Sequence, residues 1–173
     1  MKKVFIPINT TIPVNKQFPN SQCVWGDFEF IIGKECQEYD YLVVLDDLPR
    51  IIRTCCPKEN TILFTCEPPS VKKYPKSYTS QFGHAFSCQA NLIEQGNANQ
   101  LMPPLPWMLI YDFFGNSSDK YESFDFFSNT SIDSKCKNNK VCVLTSNKKR
   151  TKGDCDRIHF VEILKRRLPD AVD

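Results

Sequence analysis

The sequence predicts an α/β fold with a parallel or mixed β-sheet and helices on its faces. Short apolar runs alternate with polar or turn-rich segments over the first two thirds of the chain, and each run is about as long as a buried strand. The candidate strands are Val4–Ile8, Phe28–Ile32, Tyr41–Leu45, Ile62–Thr65 and Ala85–Cys88. This alternation is typical of βαβ units and therefore favours helices packed on a mostly parallel sheet.

The segments between these strands contain one helix signal and one long irregular stretch. Asp47-Leu48-Pro49 predicts a short helix, with Asp47 as its N-cap and Pro49 in its first turn, that ends before Pro57. Residues 111–140 are rich in Ser, Asn, Asp, Lys and Phe without a sustained period. We therefore expect a linker or long loop there.

Regular patterns return after residue 140. Val141–Thr145 is predicted as a strand, residues 146–153 as a basic loop, and Asp154 as the cap of a helix with an apolar stripe. One strand and one helix cannot close a core. The sequence therefore predicts a first domain over residues 1–110, a linker over 111–140, and the start of a truncated second domain over 141–173.

Composition excludes several classes of protein. The chain has 22 Lys and Arg residues against 20 Asp and Glu residues, so no global field attracts nucleic acid or an anionic membrane. Its longest apolar runs are too short to span a bilayer, and the apolar part of Met1–Ile8 is too short for a signal peptide. We expect a cytoplasmic protein with no nucleic-acid partner and no membrane segment.

The cysteines do not indicate a disulfide framework. There are 9 of them, an odd number, and none is arranged as Cys-x-x-Cys. Cys155 and His159 share a helix face but supply only two metal ligands. We therefore predict reduced thiols that are buried as small apolar side chains, and no metal site.

The most informative residue is Glu67. The apolar run before it ends in Glu67-Pro68-Pro69, and the prolines cannot continue a ladder because they lack the N–H donor. Glu67 is therefore predicted at the carboxyl edge of the sheet, where open α/β folds bind ligands. A carboxylate in this position can act as a general base. An acid before a Pro-Pro turn can also be a charge at a helix start.

Three segments in a fixed order carry a resemblance to a known family. They are Trp25-Gly26-Asp27, Thr65-Cys66-Glu67-Pro68-Pro69-Ser70, and Ser146-Asn147 followed by Arg157. In this order they resemble the α-1,3-fucosyltransferases of glycosyltransferase family 10. The resemblance implies a GT-B fold of two facing Rossmann-like domains, an acceptor domain followed by a GDP-fucose domain. This chain would contain the first domain and the first strand–helix unit of the second.

The resemblance also implies roles for individual residues. Glu67 corresponds to the general base of an inverting transfer of fucose from GDP-fucose to a glycan hydroxyl. The implied donor-binding residues are Arg157, Ser146, Asn147 and Lys148, and the candidate acceptor-binding residues are Trp25, Asp27 and Trp107. Arg157 could equally be a solvated helix charge, and Trp25 a buried side chain beside a tight turn. Where bacterial members of the family often have glycine, this chain has Cys66.

One family feature is absent. The later donor motif, a tyrosine-containing stretch that ends in Thr-Glu-Lys, does not occur in the sequence, so we expect these residues alone to be inactive. No Asp-x-Asp triplet is present, and no cofactor is expected to be obligatory; Mn²⁺ or Mg²⁺ would at most stimulate. The alternative function is a non-catalytic carbohydrate-binding or interaction module. Nucleic-acid binding through the basic segment 147–152 is disfavoured by the nearly balanced charge.

Overall fold

The structure of the chain is a computed structural model that describes residues 1–8, 13–102, 123–129, 131, 143 and 146–169. The chain divides into two compact units, Met1–Thr130 and Ser131–Asp173. The first unit contains the β-sheet and the second contains a long helix.

In the described part of the first unit, seven strands form the sheet. They are β1 (Lys2–Ile6), β2 (Val24–Trp25), β3 (Phe28–Ile32), β4 (Tyr41–Leu45), β5 (Thr61–Phe64), β6 (His84–Ser87) and β7 (Asn99–Gln100). Their spatial order is β2-β3-β1-β4-β5-β6-β7. Neighbouring strands are parallel except for the antiparallel pair of β2 and β3. The predicted α/β fold with a mostly parallel sheet is confirmed.

The sequence located five of these strands to within two residues. β3 and β4 have the predicted bounds, whereas β1, β5 and β6 begin and end one or two residues earlier than predicted. Pairing explains the shift of β1, because Lys2 is already in register with Phe28 and Pro7 has no N–H for the ladder. β2 and β7 are two residues long, which is too short for a periodic signal.

The core lies under the central strands β1, β4, β5 and β6. Leu63 is fully buried at 0% exposure, and Val44 on the neighbouring strand is 1% exposed. On the other face of the sheet, the rings of Phe64 and Phe86 stack with centroids 5.2 Å apart. The buried core cluster consists of Phe5, Tyr39, Leu42, Val44, Cys56, Leu63, Phe82 and Ala85.

Short helices connect the later strands. α1 (Lys76–Thr79) lies between β5 and β6, and α2 (Ala90–Glu94) lies between β6 and β7. Short 3₁₀ turns cover Val14–Gln17, Pro19–Ser21 and Lys58–Asn60. At Gly83, a Cβ atom would lie 2.3 Å from the backbone oxygen of Lys58, so glycine permits the close approach of these two segments.

The predicted helix at Asp47-Leu48-Pro49 is wrong. Residues 46–57 contain no helix. The Asp47 N–H donates to the Leu45 carbonyl oxygen at 2.9 Å, and the Asp47 carboxylate pairs with Lys72 rather than capping a helix. The Asp47 side chain therefore forms a long-range ion pair instead of the helix cap that the local sequence predicts.

A third helix, α3 (Phe124–Asn129), lies within the segment predicted as a linker or long loop. Its Asp125 carboxylate accepts a hydrogen bond of 2.8 Å from the backbone N–H of Asn20. The Phe124 ring contacts Trp25 edge-on, with centroids 5.0 Å apart. This part of the predicted linker is therefore helical and packs within the first unit.

The second unit contains α4 (Lys152–Arg167). Thr151, and not Asp154 as predicted, is the N-cap. Asp154 occupies the N3 position of a capping box and accepts from the Thr151 N–H at 3.1 Å. Of the predicted apolar stripe, Leu168 is exposed, and the other four residues are half-buried: Ile158, Val161, Ile163 and Leu164. The predicted strand Val141–Thr145 lies outside the described residues except for Val143. Within the part of the chain that the structure describes, no helix combines the length and apolar character needed to cross a membrane.

Candidate functional site

The carboxyl edge of the sheet places Glu67 beside the ends of β4 and β6. The ladder extends one residue past β5, because the Thr65 N–H donates to the Phe86 carbonyl oxygen at 3.0 Å. Glu67 follows two residues later and is half-buried. The prediction that this residue lies at the carboxyl edge of a buried parallel strand agrees with the observed sheet.

The backbone of Glu67 is held from two sides. Its N–H donates to the Tyr74 hydroxyl at 3.4 Å, and its carbonyl oxygen accepts from the Gln89 side-chain amide at 2.8 Å. Its carboxylate makes no hydrogen bond or ion pair with any residue that the structure describes. Glu67 thus combines a restrained main chain with a carboxylate that has no protein partner in the described part of the chain.

Pro68 begins a compact turn rather than a helix. The N–H groups of Val71 and Lys72 both donate to the Pro68 carbonyl oxygen, at 2.9 and 3.1 Å. The next helix, α1, begins only at Lys76. Glu67 is therefore not a charge at a helix start, which was the alternative interpretation of this sequence.

Asp46 organises the residues around Glu67. It follows β4 with a φ of 67°, a left-handed conformation that costs less for Asp than for most residues with a Cβ atom. Its carboxylate accepts from the Cys66 N–H at 3.1 Å and from the Lys72 ammonium at 2.9 Å. It also accepts a hydrogen bond from the Tyr74 hydroxyl. Asp46 thus joins the end of β4 to both sides of the Glu67 turn.

These contacts change the pKa values in the cluster. Partial burial alone raises the pKa of Asp46, but the hydrogen bonds from Tyr74, Lys72 and the Cys66 backbone outweigh it, and the net pKa is lowered. Burial and the hydrogen bond to Asp46 raise the pKa of Tyr74. Partial burial lowers the pKa of Lys72, but its bonds to Asp47 and Asp46 outweigh this effect and raise it. The cluster therefore stabilises a charged Asp46–Lys72 pair beside a neutral Tyr74.

Gln89 closes the turn from the side of β6. It is 1% exposed, and its side-chain amide donates to the carbonyl oxygens of Glu67 and Lys72, at 2.8 and 2.9 Å. Its own N–H donates to the Ser87 hydroxyl at 3.0 Å, and that hydroxyl also accepts from Thr65 at 2.7 Å. One buried side chain therefore fixes both ends of the segment from Glu67 to Lys72.

Asp46→Asn is expected to lower the free energy of unfolding by about 1–3 kcal/mol, because it removes a charged acceptor of a partly buried hydrogen-bond cluster. Asparagine tolerates the left-handed φ at least as well as aspartate, so backbone strain does not contribute. The measurement is urea unfolding at neutral pH. Asp47→Asn is the matched control; its side chain is 64% exposed against 26% for Asp46, and its expected cost is below about 1 kcal/mol.

The pH dependence of the same comparison follows from the lowered pKa of Asp46. A lowered folded-state pKa stabilises the fold above the unfolded-state pKa, and this contribution is lost as the pH falls through the folded-state value. The stability difference between wild type and Asp46→Asn should therefore be complete above a pH of about 4 and decline below it. A difference that stays constant down to strongly acidic pH would contradict the Asp46 contacts.

Trp25 and Asp27 are not near Glu67. They border the turn between β2 and β3, which lies at the amino edge of the parallel strands, where the Lys2 N–H donates to the Asp27 carbonyl oxygen at 2.9 Å. Glu67 lies at the opposite edge, and β3, β1 and β4 separate β2 from β5. Trp25 is 50% exposed, so it is not the buried tryptophan of the alternative interpretation. The structure does not bring these candidate acceptor residues together with the candidate base.

The candidate donor residues lie in the second unit. Ser146, Asn147 and Lys148 are exposed. Arg157 lies on the first turns of α4, and its guanidinium donates to the Asp154 carboxylate at 2.9 Å. Trp107 lies outside the described residues. The donor candidates are thus close in sequence to the start of one helix.

The sequence did not identify Asp46, Lys72, Tyr74 or Gln89 as site residues. A signal for Asp46 was present, because Asp46-Asp47 follows the apolar run Tyr41–Leu45 and the carboxyl ends of parallel strands meet at one edge. Tyr74 and Gln89 gave no such signal, because their roles depend on contacts across 28 and 22 residues of sequence.

A cavity of about 220 Å³ lies near the carboxyl ends of β1 and β3. β1 lies between β3 and β4, so the strand order reverses here, which is where open α/β sheets bind ligands. The cavity is lined by Phe5, Pro7, Ile8, Gly33, Lys34, Glu35, Pro49 and Arg50. β4, which carries Asp46 at its end, separates this region from the strand that leads to Glu67.

The cysteines are less buried than predicted. The seven in the described residues are free, and only Cys56 is buried, whereas Cys55, Cys88 and Cys155 are exposed. Among the residues that the structure describes, no group of three or more His, Cys, Asp or Glu side chains could hold a metal ion. Most of these thiols therefore do not serve as small apolar core residues.

Comparison with protein-family models, with curated proteins and with solved structures gives no match to this chain.

Proposed function

We propose that this chain forms the acceptor-binding part of an inverting glycosyltransferase that transfers fucose from GDP-fucose to a glycan hydroxyl, with Glu67 as the general base. The observation that supports this proposal is that Glu67 is a half-buried residue at the carboxyl edge of β5 and that its carboxylate has no hydrogen-bonding partner among the described residues. A general base needs a fixed position and an accessible basic oxygen, and Glu67 has a restrained backbone and an uncommitted carboxylate.

The two carboxylates at this edge suit different roles. Asp46 accepts hydrogen bonds from Cys66, Lys72 and Tyr74, and these contacts stabilise its charged form. Taking a proton would weaken all three contacts, which makes Asp46 a poor base. Glu67 lacks such contacts within the described residues and can accept the proton of an acceptor hydroxyl as its oxygen attacks the anomeric carbon.

The donor would bind in a second Rossmann-like domain of a GT-B arrangement. Arg157, Ser146, Asn147 and Lys148 are the proposed donor contacts, because a guanidinium near a helix start and neighbouring polar groups suit a diphosphate. In the free protein Arg157 is paired with Asp154. Binding of GDP-fucose would then require the diphosphate to compete with this carboxylate.

The acceptor is expected at the carboxyl edge beside Glu67. Trp25 and Asp27 lie at the amino edge and are not part of the proposed catalytic site. Their resemblance to a family turn remains a sequence observation, and the proposal depends on Glu67.

A transfer assay tests this proposal. The protein, expressed from its whole reading frame, would be incubated with GDP-fucose and a panel of oligosaccharides, with GDP-mannose as the control donor. We expect a fucosylated product from GDP-fucose only, with inverted configuration at the anomeric carbon. Acceptor binding without turnover would identify a carbohydrate-binding module instead. Absence of both binding and turnover would contradict the proposed function.

A further inference from the structure

Two cysteines, Cys66 and Cys88, lie just past the carboxyl ends of the adjacent parallel strands β5 and β6. The register pairs Ile62 with His84 and Phe64 with Phe86. Counting two residues further on each strand reaches Cys66 and Cys88. Side chains alternate between the two faces of a sheet, so the same register continued past the strand ends would put both cysteines on the face that carries Phe64 and Phe86.

Side-chain contacts show that this register continues to the strand ends. The rings of Phe64 and Phe86 stack on one face of the sheet, with centroids 5.2 Å apart. On the other face, the Thr65 hydroxyl donates to the Ser87 hydroxyl at 2.7 Å. Residues in register on neighbouring strands have Cα atoms about 5 Å apart, which lies within the range for a disulfide.

We propose that Cys66 and Cys88 are a redox-active dithiol that a low-molecular-weight disulfide such as glutathione disulfide converts to an intramolecular disulfide. Both thiols are free in the structure; Cys88 is exposed and Cys66 is half-buried. This inference does not depend on the proposed transferase activity.

Because Cys88 is exposed and Cys66 is half-buried, Cys88 reacts first with glutathione disulfide and Cys66 second. The Cys88 thiolate attacks one sulfur of glutathione disulfide, which forms a mixed disulfide and releases one glutathione thiolate. The Cys66 thiolate then attacks the Cys88 sulfur and releases the second glutathione. Two protein thiols lose two protons and two electrons, and glutathione disulfide gains both to become two glutathione molecules.

Burial and the charges of Asp46 and Glu67 raise the pKa of Cys66, which suits a resolving thiol rather than the first nucleophile.

The disulfide would lie next to the Glu67 turn. Cys66 directly precedes Glu67, and Cys88 directly precedes Gln89, whose amide already bonds the Glu67 carbonyl oxygen at 2.8 Å. A covalent link between the two strand ends would therefore restrain the same segment that this hydrogen bond holds. Oxidation would change the mobility of the Glu67 turn without requiring another element to move.

Mass spectrometry of the whole chain tests this inference. The reduced protein would be incubated with glutathione disulfide, and its intact mass and tryptic fragments would be measured. Trypsin gives the fragments 59–72 and 77–120, each of which contains one cysteine, Cys66 or Cys88. We expect these two fragments to be joined, with a mass two hydrogen atoms below the sum of the free fragments, until a reductant is added. Exposed cysteines outside this pair, such as Cys155, can carry glutathione as a mixed disulfide.

Three variants test whether the disulfide joins Cys66 and Cys88 rather than other cysteines. Cys88→Ser should not form the linked fragments, and Cys66→Ser should retain one glutathione on Cys88 because no resolving thiol is present. Cys55→Ser, which removes an exposed cysteine outside the β5–β6 pair, should form the Cys66–Cys88 bond as wild type does. Oxidised wild type without the link between 59–72 and 77–120, or with glutathione retained on Cys88, would overturn the proposal.

Discussion

Glu67→Gln is expected to lower the turnover number for fucosyl transfer by about two to four powers of ten, the usual contribution of general-base catalysis. Glutamine has nearly the same shape as glutamate but cannot take a proton from the acceptor hydroxyl. The backbone bonds to Tyr74 and Gln89 do not involve the Glu67 carboxylate, so the turn should keep its conformation. The measurement is steady-state transfer from GDP-fucose by the protein expressed from its whole reading frame.

The expected loss lies in turnover and not in acceptor affinity. Glu67→Gln should bind the acceptor about as tightly as wild type, because an amide can still contact a hydroxyl. Glu94→Gln is the matched control; it removes an exposed carboxylate from α2 in the same unit and should leave turnover unchanged. Wild-type turnover in Glu67→Gln, with an unchanged unfolding transition, would exclude Glu67 as the base.

The longer strands could be predicted because they are buried and their pattern is contained in consecutive residues. Tyr41–Leu45 is a continuous apolar run of β-forming residues, and both bounds of β4 agree with it. The two-residue strands β2 and β7 depend on pairing with a neighbour, and no local pattern indicates them. The helix predicted at Asp47 does not form, also because of a contact that is distant in sequence: Lys72 binds the side chain that would have capped it.

The site was predictable only in part, because sequence order does not specify which edge of a sheet a motif occupies. The prolines after Glu67 correctly indicated the end of a strand. Trp25-Gly26-Asp27 lies in a tight hairpin, and only the pairing of β2 with β3 reveals that this turn is at the amino edge. The contacts of Asp46 with Tyr74 and Lys72 likewise require the fold to be known.

Leu63→Ala is expected to lower the free energy of unfolding of the first unit by about 2–5 kcal/mol, as large-to-small substitutions in a packed core do. Leu63 has 0% exposure and lies on β5 between β4 and β6, so its neighbours cannot easily fill the cavity. Urea unfolding followed by tryptophan fluorescence is the measurement. Trp25 lies on β2 of the unit Met1–Thr130, so its fluorescence reports on the unfolding of this unit.

Ile62→Ala is the matched control for Leu63→Ala. Ile62 is the preceding residue on the same strand, but its side chain points to the opposite face and is only half-buried. Its replacement should therefore cost less than that of Leu63, although both substitutions remove the same number of carbon atoms. Equal costs for the two substitutions would mean that the core does not lie on the Leu63 face of β5. The strand that leads to Glu67 would then lack the packed support on which the restrained backbone of Glu67 depends.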